Sequence, residues 1–143
     1  NAATPVVRMV NVTAPVSHLQ FSAPNYSVIE NGLSASITVT RIGGSFGAAS
    51  VDYSSIAGGS ALVGSDYTAV TGTLSFADGE TSQTFNVDII DYAEYEGNGT
   101  FDLLLSNVSC ANPGTPSGAV LTITENEPIM ANVMAITPRG KRT

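Results

Sequence analysis

A chain of 143 residues with no tryptophan, one histidine, one cysteine and a formal net charge of −7 is one domain's worth of protein with an aliphatic core. Its body is more acidic than that total suggests: Arg139, Lys141 and Arg142 lie in the last five positions, so residues 1–138 hold Arg8 and Arg41 against twelve carboxylates, a formal −10. Such a surface excludes a nucleic-acid partner, whose phosphates need a basic face; Cys110 alone permits no internal disulfide, and no apolar run approaches the roughly 18–20 residues of a membrane span.

The chain opens with an extension, residues 1–18, that carries Val6, Val7, Met9, Val10 and Val12. From there the dominant signal is period-two alternation, the mark of half-buried strands. Ala35, Ile37 and Val39 share one face, as do Val51 and Tyr53, then Leu74 and Phe76, then Phe85, Val87 and Ile89. Phe101, Leu103 and Leu105 follow, and Ala119, Leu121 and Ile123 complete the set. Leu104 is apolar on what is expected to be an outer face. Turn signals punctuate these runs at Glu30-Asn31-Gly32, Ile42-Gly43-Gly44, Ala57-Gly58-Gly59, Asp78-Gly79, Glu96-Gly97-Asn98-Gly99 and Asn112-Pro113-Gly114.

About seven short strands at this spacing predict an all-β, two-sheet immunoglobulin-like sandwich over residues 19–127. A second extension, 128–143, carries Ile129, Met130, Val133, Met134 and Ile136 before its basic end. Disordered tails are poor in such residues. Both extensions are therefore expected to be ordered and to pack on other copies of the chain or on neighbouring domains, through residues 1–16 and 128–138.

Little in the sequence suits catalysis. The lone His18 lies in an extension, where a Ser-His-Asp arrangement has nothing to orient it. One histidine and one cysteine make a poor zinc set, and the glycine pairs sit in turns without a strand–turn–helix context for phosphate. The chain reads as no enzyme. Its scarcity of charge and wealth of Ser, Thr, Asn and Gly suit an extracellular or cell-surface setting. The sequons at Asn11, Asn25, Asn98 and Asn107 either carry glycans, in a eukaryotic secretory protein, or arise by chance in such a composition.

The carboxylates are more informative. Glu30, Asp66, Asp91, Glu94, Glu96, Glu125 and Glu127 all fall at strand ends, and a sandwich gathers its loops at two poles. Either they are solvated loops or they meet at one pole around a hard cation, which takes oxygen ligands.

Residues 19–127 resemble a Calx-β domain. The resemblance is carried by Phe21 with Tyr26-Ser27-Val28-Ile29-Glu30, by Ile37-Thr38-Val39-Thr40-Arg41-Ile42-Gly43-Gly44, and by Val51-Asp52-Tyr53 and Gly64-Ser65-Asp66-Tyr67. It continues through Gly72-Thr73-Leu74-Ser75-Phe76, Gly79-Glu80, Ile89-Ile90-Asp91 and the run from Phe101 to Asn107. The resemblance implies a sandwich with calcium at one end, and Glu30, Asp66, Asp91, Glu96, Glu125, Asn126 and Glu127 as the matching ligands. The chain departs from the family's strong binders at Tyr92 and Ala93, where aspartates are usual, at Gly99, and in its closing triplet. A surface filament or adhesin subunit built through the extensions is the expected role; a single calcium-binding module of a larger surface protein is the alternative.

Overall fold

Residues 16–128 are described in a computed structural model of the chain. The expectations for Val6 to Val12, for Ile129 to Ile136 and for the basic end at Arg139 lie outside those residues.

Among the described residues nine strands form two sheets: β1 (His18–Phe21), β2 (Asn25–Ile29), β3 (Ser34–Ile42), β4 (Ala49–Ile56), β5 (Thr71–Phe76), β6 (Ser82–Asp88), β7 (Gly99–Ser109), β8 (Asn112–Pro113) and β9 (Gly118–Thr124). One sheet runs β6-β3-β1-β8 and the other β2-β9-β7-β4-β5. The count exceeds the expected seven for two reasons. Pro24 has no N–H to donate to a ladder, and the chain changes sheets there: β1 pairs antiparallel with β3, while β2 pairs parallel with β9. The two-residue β8 is the other addition, pairing parallel with β1.

Alternation places the core where the pattern expects it. Ile37, Val39, Val51, Val87, Phe101 and Leu121 are fully buried between the sheets. Parity also buries Arg41, the next inward position of β3 after Val39, and a buried cation must find acceptors. It donates to the carbonyls of Phe46 and Gly47, both at 2.7 Å, and so shapes the loop joining β3 to β4. Leu104 is partly exposed, beside Ile56 and Val120 in a shallow outer groove. No helix among the described residues is long and apolar enough to cross a membrane.

Pairing register fixes which strand ends meet. Ser34 lies opposite Asp88, Gly99 opposite Ile123, and Ile29 beside Thr124. The loops after β2, β6 and β9 therefore share one pole.

Candidate metal centre

Glu30 begins a single 3-10 turn, Glu30–Gly32, directly after β2. The Asn31-Gly32 pair lets the chain reverse, and Leu33 closes the turn in the left-handed region at φ 71°. The Glu30 side chain is thereby turned inward and is 5% exposed. Its Oε2 accepts the Tyr92 backbone N–H at 2.7 Å.

Asp66 is set by its neighbour. The Tyr67 ring is buried flat against Phe101, with centroids 3.6 Å apart and planes 4° from parallel. Backbone bonds from Ile90 to the Asp66 carbonyl and from Thr68 to the Asp88 carbonyl sew this loop to the end of β6. Asp66 itself accepts the Leu62 N–H at 2.7 Å. Gly59 allows the same loop to lie against β7, since a Cβ there would collide with the Thr100 carbonyl oxygen.

Glu125, Asn126 and Glu127 follow β9 directly. Glu125 accepts the backbone N–H groups of Glu96, Gly97, Asn126 and Glu127, and its own N–H donates to Asn98 Oδ1. The Asn126 side-chain amide donates to Glu127 Oε2 at 2.8 Å. Asn126 Oδ1 and Glu127 Oε1 are each buried at the atom with no hydrogen-bond donor among the described residues.

These elements bring most of the sequence-derived set together. Glu30, Glu125 and Glu127 each present a carboxylate oxygen within 4.8 Å of the other two. Glu30, Asp66 and Glu96 line one cleft of about 140 Å³, with Ser60 and Asn98 beside them. Asp91 stands apart from the triad: its carboxylate is exposed, and it acts on Glu127 through its charge. At Tyr92, one of the departures from the strong binders, the loop gives Glu30 a main-chain donor. At Gly99, a side chain would press on Ala61, whose Cβ lies 3.1 Å from where its Cβ would stand. Ser60 and Asn98 escaped sequence reasoning. Asn98 was visible only as a turn residue and a sequon, and nothing marked Ser60.

The electrostatics are those of crowded like charges. Burial pushes the Glu30 carboxyl up to about 7, and Glu125 and Glu127 add to the rise against the opposing Tyr92 N–H. Desolvation raises Glu96, helped by Asp66 and Glu125, and raises Glu127, helped by Glu125 and Asp91. Glu125 goes the other way: backbone donors, Glu96 first, hold it down at about 2. Among the described residues, this pole has several carboxylates and only amides to offset them, and so is short of positive charge.

The Calx-beta domain profile matches residues 14–127. Extracellular matrix protein 3 of Lytechinus variegatus is 37% identical over 119 residues, covering 79% of this chain and 4% of that protein. Sodium/calcium exchanger 1 of Canis lupus familiaris is 34% identical over 105 residues, covering 73% of this chain and 11% of the exchanger. The chain thus spans a small part of these curated relatives. The crystal structure of the apo-form Calx CBD1 domain superposes with a TM-score of 0.74 at 29% identity, over 78% of this chain and 99% of that domain.

Proposed function

The chain belongs to the Calx-beta domain family, whose members are binding modules rather than enzymes, and we propose that its acidic pole holds one calcium ion and serves as a structural joint in an extracellular protein. The observation that carries this reading is the pair of buried, donor-less oxygens, Asn126 Oδ1 and Glu127 Oε1, beside the buried Glu30 carboxylate. Buried acceptors ordinarily find a partner. An all-oxygen set with no thiol or imidazole suits a hard cation.

Glu30, Asp66, Glu96, Asn126 and Glu127 are the residues with oxygens to offer. Asp91 supplies long-range attraction from the rim. One ion, rather than a cluster, fits the chain's departures from the strong binders at Tyr92, Ala93 and Gly99. A bound calcium ion would supply two positive charges where carboxylates from separate loops repel. Glu30 and Asp66 come from different loops that line one cleft, so shared ligation fixes their spacing.

An extracellular or cell-surface setting is supported by the low charge content and by the similarity to a matrix protein. Calorimetric titration with calcium chloride tests the site. One ion per chain is expected, with Glu127→Gln weakening affinity by about tenfold, or ~1.4 kcal/mol. No binding heat, or heat unchanged by that substitution, removes calcium from this pole.

A second reading concerns assembly. Val16, Ile42 and Phe46 are 58%, 47% and 75% exposed at the end of the sandwich opposite the acidic pole, where residues 1–15 join it. This patch supports copies of the chain meeting through their extensions as a surface filament or adhesin. Size-exclusion chromatography across a concentration series checks it: growing assemblies are expected, and a monomer throughout leaves a single module of a larger protein.

A further inference from the structure

Proximity puts Glu125 among the ligands, but its bonding does not. A carboxylate has about four lone-pair positions, and four backbone donors occupy them. Oε2 accepts from Glu96 and, at 2.8 Å, from Gly97; Oε1 accepts from Asn126 and Glu127, each at 3.1 Å. The main chain of Glu125 adds a fifth tie, donating to Asn98 Oδ1 at 2.8 Å. The other carboxylates are far less engaged. Glu30 and Asp66 each accept one backbone N–H, and Glu127 accepts one side-chain amide on a single oxygen.

We infer that Glu125 is a latch and not an ion ligand: its carboxylate ties the loop before β7 to the segment after β9, so that the pole is framed by main-chain amides before any cation arrives. Two loops distant in sequence, around Glu96 and around Asn126, converge on one side chain. The donors are loop backbone groups flanking the start of β7 and the end of β9, and charge-assisted bonds of this type are the strong ones. A cation entering such a frame meets loops already joined.

The exclusion of Glu125 from the ligand set rests on the calcium reading above; the latch itself does not. The test separates them by working in chelator. With calcium removed, Glu125→Gln is expected to lower the melting temperature by roughly 4 °C or more, while Glu127→Gln leaves it unchanged or raises it by relieving repulsion. A Glu125→Gln chain that melts at or above wild type in chelator overturns the latch. Should that variant fail to fold, amide hydrogen exchange on the wild-type chain in chelator decides. Glu96, Gly97, Asn126 and Glu127 are expected to exchange about tenfold or more slower than open amides; free exchange at all four overturns the proposal. Protected amides in a protein that shows no calcium heat would leave the latch standing and the ion reading refuted.

Discussion

The two poles of the sandwich solve opposite problems with the same device. At one, Arg41 is a buried cation that spends its donors on the carbonyls of Phe46 and Gly47, and Asp78 accepts the Gly47 N–H at 2.7 Å. At the other, Glu125 is an anion that collects amides from two segments. Each charge organises a loop through main-chain groups. The difference lies in what remains. The Arg41 pole sets its cation near carboxylates, Asp78 on the Gly47 N–H and Glu80 on the Ala77 N–H, whereas the Glu125 pole also holds Glu30, Asp66, Glu96 and Glu127, whose negative charge no side-chain cation among the described residues is seen to meet. The first pole leaves one orphan, the buried Arg41 Nε–H, which has no acceptor among the described residues; the second leaves orphaned acceptors, Asn126 Oδ1 and Glu127 Oε1, which suit a counter-ion.

Substitutions at the anchor of each pole break the comparison most strongly. Tyr67→Ala removes the ring stacked on Phe101 and is expected to cost about 3–5 kcal/mol. It should also weaken calcium binding by unmooring Asp66. Urea unfolding and calcium titration of the same variant read both effects. Arg41→Met comes next, at about 2–3 kcal/mol, because two carbonyls lose a charged donor. Its calcium affinity should match wild type, since the disturbance lies at the far pole; a large change in affinity would mean the poles are coupled.

Acidity sharpens the contrast, with a smaller effect. The Glu30 carboxyl is raised from 4.5 to about 7, so between those values the folded chain holds a proton that the unfolded chain releases. Stability in chelator should therefore increase as pH falls from above 7 towards 4.5 and be lost as pH rises through 7. Glu96 and Glu127, also raised, act in the same direction. Calcium affinity should move oppositely, falling on acidification by up to about tenfold per pH unit below 7 as the proton competes. Thermal melts and calorimetry over that range check both signs. Least of all, Phe46→Ser should change stability by no more than about 0.5 kcal/mol, as the ring is 75% exposed. A larger loss in urea would show that the ring packs on something outside the described residues.

The fold was legible because strand alternation is written in side chains. Every inward position named from the period, from Ala35 to Ile123, is buried or, for Tyr53, partly so. Even Arg41 was within reach, since it shares parity with Ile37 and Val39. The pole was legible in outline through the carboxylates at strand ends, and register then brought Glu30, Asp66, Glu96, Glu125 and Glu127 together. Two features escaped for one reason. The Tyr92 N–H on Glu30 and the four amides on Glu125 are main-chain donors, and a backbone N–H leaves no mark in a sequence. The set taken from the family resemblance therefore placed Asp91 and Glu125 level with Glu30, although the structure gives the three different surroundings.

Crystals of the chain soaked with calcium or a lanthanide test the cation site most directly, through anomalous scattering. A single peak is expected, at about 2.3–2.6 Å from oxygens of Glu30 and Glu127 in the calcium crystal, with the Glu125 carboxylate still holding its amides. No peak at this pole, or one seated on Glu125 with those amide bonds broken, would contradict it.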